Sequence, residues 1–491
     1  MNSAITATSV PVDKPRMLID GKLVESEGGG WIESINPSNE EVIGVVPQGT
    51  ARDVARAIEA AEKAQPEWAG LTAAERGHYL RTLAHALGEQ HERILTTEVI
   101  DTGNTISKLR YDVDAAISQL NYFAGLGYEL KGTTTPSTAQ NLHITIREPF
   151  GVVGRIVAFN HPIMFAASKM GPPLIAGNTV IIKPSEHSPM SACILSEICA
   201  EIFPPGVVNI LTGYGRDAGD AIARHPKVKR LAFIGSVPTG MAIQRSAAEV
   251  GVKCVTLELG GKNPMIVFPD VDTDKAVNAA INGMNFAWQG QSCGSTSRIF
   301  LHEAIYNECL EQLCTKISAM KIGDPLSVDS QMGPMNNKAQ LEKTLHYIQV
   351  GTQDGGRLVT GGKRPQGDIF EKGYWVEPTV FANMSPDMRL ASEEVFGPIL
   401  SVFKWSDVND VVRISNSVEY GLTASIWCND ITKALNTARR VGSGYIWING
   451  EAGHYFPSPF GGFRNSGSGR EECIEEMLSY TEEKTIHVML Q

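Results

Sequence analysis

The sequence predicts an α/β protein: an open parallel sheet with helices on both faces, then a second α/β region, then a β extension at the chain's end. Two observations carry this. Five apolar, strand-like runs at 151–159, 179–183, 207–211, 230–235 and 254–259 alternate with helical stretches around 163–176, 188–201, 217–224 and 238–249. Apolar strands joined by helices are the pattern of a parallel sheet buried on both faces. The chain also has 491 residues, too many for one ordinary core, so more than one domain is expected.

The elements follow in order. Residues 1–16 read as a loose arm without an apolar stretch of the kind a secretory signal needs. Residues 52–129 are Ala-rich and read as helical. Asn141-Leu-His-Ile-Thr-Ile-Arg147 alternates polar and apolar residues as a strand does. The βα alternation then builds the sheet, and ligands in such sheets bind at the carboxyl ends of the strands. Asn160, Lys183, Gly235 and Glu258 all fall there. The tail, 484–491, reads as a further strand, expected to pair with the 141–147 strand of another subunit. The expected division is 17–129 with 150–260 as one domain, 261–466 as a second, and 130–149 with 467–491 as the extension.

Composition excludes several classes. A net charge of -11 argues against nucleic acid and anionic membranes as partners. No apolar run approaches the roughly 18 residues that span a bilayer. Eight cysteines are too few for a disulfide scaffold, and none form Cys-x-x-Cys. Cys193, Cys199, Cys309 and Cys314 lie in helical stretches and read as core residues, so no metal site is expected. Free thiols point to the reducing cytoplasm.

One cysteine stands apart. Cys293 lies among small residues in Gln291-Ser292-Cys293-Gly294, and Glu258 lies upstream in Glu258-Leu-Gly-Gly-Lys262. A thiol can bond covalently to a carbonyl carbon, and a carboxylate can activate the water that later releases the adduct.

Seven motifs in order give the chain a resemblance. They are Phe159-Asn160-His161-Pro162, Lys183-Pro-Ser-Glu186, Phe233-Ile-Gly235-Ser236 with Gly240, Glu258-Leu-Gly-Gly-Lys262, Gln291-Ser-Cys293, Glu394-Val-Phe396-Gly-Pro398 and Pro459-Phe460-Gly-Gly462. From about residue 17 onward the chain resembles the NAD(P)-dependent aldehyde dehydrogenase superfamily. The resemblance implies that the first domain binds NAD, with NADP as the alternative, and that the second is catalytic. It makes Cys293 the nucleophile, Glu258 the general base and Asn160 an oxyanion donor. It assigns Lys183 and Glu186 to the adenosine ribose, and Gly235, Ser236 and Gly240 to the pyrophosphate turn. Glu394 and Phe396 clamp the nicotinamide ribose. Arg298 is read as structural.

For the substrate, the resemblance implies a tunnel lined by His161, Phe165, Ser292, His454, Tyr455, Phe456 and Phe460. Ser168 and Ala115 stand where relatives carry bulkier residues, which predicts a wide tunnel for an aromatic, cyclic or substituted aldehyde. Relatives also imply a homodimer or homotetramer joined through the 141–147 and 484–491 strands. The rival readings are a CoA-acylating semialdehyde dehydrogenase, a thiol esterase, and a non-catalytic protein of the same fold. Glu258 argues against the first, because CoA-acylating relatives generally lack it.

Overall fold

The computed structural model describes residues 14–490. The arm expected at 1–16 therefore lies, up to residue 13, outside the described residues.

The chain opens with two short strands, β1 (Met17–Ile19) and β2 (Lys22–Val24), and a hairpin, β3 (Trp31–Ile35) and β4 (Val42–Pro47). Four helices follow: α1 (Ala51–Gly70), α2 (Ala73–Glu89), α3 (His91–Thr102) and α4 (Ile106–Gly125). Thr50 and Thr72 start α1 and α2 with reciprocal capping boxes to Asp53 and Glu75. Gly103, at φ 77°, takes the left-handed turn that ends α3.

The sheet strands come next: β5 (Asn141–Pro149), β6 (Val152–Ile156), β7 (Thr179–Lys183), β8 (Val208–Ile210), β9 (Val228–Ile234) and β10 (Cys254–Glu258). Strands β6 to β10 are the five expected ones, trimmed or shifted by a few residues. They pair in parallel in the order β10-β9-β6-β7-β8. The sheet is longer than the sequence reading allowed. Strand β1 pairs antiparallel with β8 and carries β2 at that edge. Three-residue strands give too short a pattern to be seen in sequence. Helices α5 (Pro162–Ser168) and α6 (Gly171–Ile175) replace the single helix expected over 163–176. Pro172 and Pro173 break it, because a proline disfavours helical geometry in the residue before it. Helices α7 (Met190–Ile202), α8 (Asp220–Arg224) and α9 (Val237–Ala248) complete this layer.

Both faces of the sheet are core. Val153, Val180 and Ile182 pack on one side with Leu80, Leu120 and Ile194 of α2, α4 and α7. Val152, Ile181 and Leu231 pack on the other with Ile58, Ile222 and Ile243 of α1, α8 and α9. This explains why the strands read as continuous apolar runs.

The second sheet is formed by β11 (Pro264–Val267), β12 (Arg298–His302), β13 (Arg357–Thr360), β14 (Thr379–Ala382), β15 (Ile399–Trp405), β16 (Thr423–Trp427) and β17 (Tyr445–Ile448). Its order is β13-β14-β15-β12-β11-β16-β17, and it is parallel apart from edge strand β13. The two-residue strand β18 (Gly467–Ser468) returns to the first sheet and pairs antiparallel with the end of β10.

Strand β19 (Thr481–Met489) departs from expectation. It pairs antiparallel with β5 of its own chain along nine residues, from Thr481 opposite Pro149 to Met489 opposite Asn141. The tail therefore finds its partner within the chain. One face of this ribbon carries Leu142, Ile144, Ile146, Ile486 and Val488, and Leu142, Ile146 and Ile486 are exposed.

Candidate active site

Cys293 sits on a loop that many contacts hold still. Before it, a short helical turn, Phe286–Trp288, is bracketed by Asn285 and Gln289, both left-handed at φ 56° and 53°. Such geometry persists in non-glycine residues only when the surroundings over-determine it. Gln289 Nε2 donates to Gly103 O at 3.2 Å, and Gln291 Nε2 to Gln289 Oε1 at 2.8 Å. After it, Asn263 Nδ2 donates to Cys293 O at 2.7 Å and to Ser295 O at 2.9 Å. Asn263 and Gln289 are positioning residues the sequence reading missed. Asn263 lies beside the Glu258–Lys262 motif but carries no pattern of its own.

Two cavities meet at this loop. A cleft of about 460 Å³ is lined by Lys183, Glu186, Gly235, Ser236, Asn160, Glu394 and Phe396. A larger cavity of about 770 Å³ is lined by His161, Phe165, Trp288, Ser292, His454 and Phe460, among others. Cys293 and Glu258 line both.

In the cleft, Lys183 closes β7 and pairs with Glu186 at 2.8 Å, and Gly215 N donates to Glu186 Oε1 at 3.2 Å. Gly235 follows β9, and Ser236 begins α9 without a side-chain bond to the helix's first N–H groups. Those groups stay available to an anion. Gly240 differs from its expected role. Its N–H bonds Ser236 O inside the helix, and a Cβ there would meet Leu259 at 3.0 Å. It packs helix on strand and does not line the cleft. At the far end, Glu394 Oε1 accepts from Gly261 N at 2.8 Å. A Cβ on Gly260 would lie 2.1 Å from Glu394 Oε2, so only glycine lets this carboxylate in. Phe396 is held left-handed at φ 59° by Gln340, which donates to its carbonyl at 2.7 Å.

Electrostatics at the junction run against charge. Burial pushes the Cys293 thiol up to about 12, aided by Glu258 and Glu394, although the N–H groups of Gly294 and Cys293 pull the other way. Burial also raises Glu258 well above the carboxylate range, and the nearby Glu471 adds to this. Both Glu258 oxygens lack a hydrogen-bond partner among the described residues. The Pro459–Gly462 loop passes close by, since a Cβ on Gly461 would lie 2.9 Å from Glu258 Oε1. Beneath lies an ion network. Glu471 contacts Arg155 and pairs with Lys169 at 2.9 Å, and both cations are buried. Asn160 is also buried, and its carbonyl accepts from Asn104 Nδ2 at 3.1 Å, while its side-chain amide has no partner among the described residues. Arg298 is structural, donating to the carbonyls of Lys262, Ile414 and Ser415.

The larger cavity corrects part of the substrate reading. Ser168 is fully buried and donates to Met164 O at 2.5 Å, and Ala115 is packed inside α4. Neither lines the cavity, and nor does Tyr455, which is exposed. Helix α4 instead presents Tyr111 and Gln119. Ser168 is the last residue of α5, and its hydroxyl bonds back to that helix's own backbone. His161, Phe165, Ser292, His454, Phe456 and Phe460 do line it.

A thiol and an unpaired carboxylate lie between a cleft and a separate cavity with aromatic walls, an arrangement that suits a dehydrogenase. Comparison with known proteins agrees. Residues 23–486 match the aldehyde dehydrogenase family. An aldehyde dehydrogenase of Talaromyces stipitatus, TropH, is 43% identical over 96% of this chain and 93% of its own. The NAD+ complex of an aldehyde dehydrogenase from Bacillus cereus superposes with a TM-score of 0.94 at 36% identity, covering 98% of this chain and 97% of that one. A betaine aldehyde dehydrogenase of Staphylococcus aureus, also with NAD+, gives 0.95 at 34%, covering 97% and 95%. The chain belongs to the aldehyde dehydrogenase family. It is an NAD(P)-dependent oxidoreductase acting on aldehydes. No helix among the described residues is long and apolar enough to cross a membrane.

Proposed function

We propose that the protein oxidises an aldehyde to its carboxylic acid by a hydrolytic, NAD-preferring route. The observation that carries this is that Cys293 and Glu258 line both cavities, so each can act on a substrate carbon that also faces the cleft. The cleft residues fit a dinucleotide: a carboxylate and lysine at one end, open helix N–H groups midway, and half-buried Glu394 with Phe396 at the other. NAD bound there supplies the hydride acceptor.

The Cys293 thiol gives up its proton to Glu258 or to solvent and Sγ adds to the aldehyde carbon, the C=O π pair moving to oxygen to give a thiohemiacetal whose oxyanion is held by the Asn160 amide and the Cys293 N–H. Losing one such donor typically costs about 100- to 1000-fold in rate. Once the hydride has left, a thioester remains on Cys293. Glu258 takes a proton from water, the hydroxide displaces the thiolate, and the acid departs. An unpartnered Glu258 supports water over CoA as the acyl acceptor. A reducing compartment such as the cytoplasm suits the thiol.

The test is Cys293→Ala, which should abolish NADH formation across an aldehyde panel while NAD still binds. Retained turnover would refute the covalent step, and activity only with CoA would favour the acylating rival. Cofactor-free cleavage of activated esters alone would favour the esterase. No reaction of the wild type with any aldehyde would favour the non-catalytic reading. The family resemblance assigns Glu186 to the adenosine ribose, where its charge would repel a 2′-phosphate, which favours NAD as the coenzyme. Glu186→Gln should raise kcat/KM for NADP relative to NAD, and an unchanged ratio would move the discrimination elsewhere. The exposed apolar face of the β5–β19 ribbon supports a homodimer or homotetramer. Light scattering should give a multiple of the 53.1 kDa chain mass, and a fully active monomer would contradict this.

A further inference from the structure

The larger cavity has aromatic walls, including Phe165, Trp288, Trp447 and Phe460, yet two imidazoles interrupt them. Both are built the same way. His161 Nδ1 lies 2.8 Å from Oδ2 of Asp112, a fully buried carboxylate of α4. His454 Nδ1 lies 2.9 Å from Glu472 Oε2, also buried. An ionised carboxylate only accepts, so in each pair Nδ1 carries the hydrogen. In the neutral imidazole Nε2 is then left as an acceptor, in an orientation the carboxylate fixes.

His161 is the more constrained of the two. Its ring is wedged between Phe165, with centroids 5.5 Å apart, and Trp288, at 5.3 Å. It follows Asn160 directly, and its ring makes no other hydrogen bond among the described residues. A fixed acceptor in an apolar wall favours a ligand that brings a donor to it and disfavours an isostere that leaves it bare. The charge on the lining narrows the choice. Beside its carboxyl groups the lining offers one lysine, Lys108, and no arginine to receive a second carboxylate on the substrate.

We infer that the cavity selects a ring aldehyde bearing a hydroxyl group, whose O–H is received by His161 Nε2. This rests on the oxidation proposed above and names its substrate class. Asp112 is a positioning residue, fixing the tautomer and orientation of His161.

The experiment compares 2-, 3- and 4-hydroxybenzaldehyde with their methoxy counterparts and benzaldehyde, following NADH with NAD in excess. Calorimetry of the corresponding benzyl alcohols, which cannot be oxidised through a thiol adduct, reads binding alone. The best hydroxy isomer should exceed its methoxy counterpart by roughly 10- to 100-fold in kcat/KM and in affinity, a range set by one buried hydrogen bond whose loss leaves an acceptor unpaired. His161→Phe should bring that ratio within about threefold while benzaldehyde is still oxidised. Asp112→Asn keeps the shape, replaces the anion with a neutral acceptor, and should give an intermediate ratio, which tests the pair even if the Phe variant fails to fold. His454→Phe should keep the preference. A wild type without hydroxyl preference would overturn the inference, as would a preference that survives His161→Phe or that only His454→Phe removes. Oxidation of benzaldehyde without discrimination sinks this inference alone. Hydroxyl preference in alcohol binding with no aldehyde oxidised would uphold it and sink the oxidation.

Discussion

Two neighbouring carboxylates, Glu258 and Glu471, share burial and little else. Both line the larger cavity and both are almost closed to solvent. Burial by itself raises a carboxyl group. At Glu258 the charges of Lys169 and Arg470 offset it only in part: both oxygens are without hydrogen-bond partners among the described residues, and the group is pushed well above its usual range. At Glu471 burial is outweighed by Arg155 and Lys169, which hold the group down to about 2. Partners therefore decide the protonation state, and the two sites are fitted to opposite tasks. A poised, unpaired acid can exchange a proton with water during a reaction. A fully paired anion cannot, and instead holds β6, α5 and the segment near β18 together.

Glu258→Gln should break the reactive side of this contrast. Turnover should fall about 100- to 10,000-fold, the range for loss of a general base. Stability should hold or improve. A folded-state pKa raised above the unfolded one makes Glu258 a source of instability that grows as pH climbs from about 4.5 through the raised value. Denaturant unfolding at pH 8 or above checks this, and a marked loss of stability there would show that Glu258 has a structural partner.

Glu471→Gln should break the structural side. Removing one member of this buried network leaves Arg155 and Lys169 to share Glu476, at 3.6 and 3.5 Å, and a loss of up to about 3–5 kcal/mol is expected. The sign of the pH dependence is opposite to that of Glu258. The folded pKa is depressed, so the stabilisation is full above the ordinary value near 4.5 and fades as pH falls toward about 2. Wild type and variant should differ at pH 7 and converge in acid. A constant gap across that range would mean that the loss comes from packing and not from charge.

The same contrast separates what the sequence reveals from what it hides. Cys293, Glu258, Lys183, Glu186, Gly235 and Glu394 each lie in a short motif at a strand end or fixed turn, where backbone topology alone brings them to the cleft. The fold was legible for a related reason: strands buried on both faces are continuous apolar runs. Partners that come from distant elements leave no such trace. Asp112 meets His161 across 49 positions, and Arg155 meets Glu471 across 316. A charged residue in α4 reads as surface until the fold buries it. Ser168 and Ala115 failed in the opposite sense, because alignment to relatives does not reveal which side chains a helix buries. The tail strand and its partner strand, 141–147, were both read correctly, but strand pairing is non-local, and that the two pair within one chain was not visible.

The smallest effect is also the most diagnostic of how Glu258 and Cys293 are coupled. Cys293 is pushed up to about 12 by burial first and by Glu258 second. If Glu258 acts on the thiol only as a nearby charge, Glu258→Gln removes a repulsion, and the thiolate forms at lower pH. Below its pKa a thiol forms about tenfold more thiolate for each pH step by which that pKa falls, so alkylation of Cys293 by iodoacetamide should speed up several-fold in the variant. The gain should appear at high pH, where the wild-type Glu258 is ionised, and vanish at low pH, where both proteins are neutral at that position. Were Glu258 instead the base that withdraws the thiol proton, the variant would alkylate more slowly throughout. The rate of alkylation against pH, with Cys293→Ala as the blank for the other seven cysteines, distinguishes a base for water from a base for sulfur.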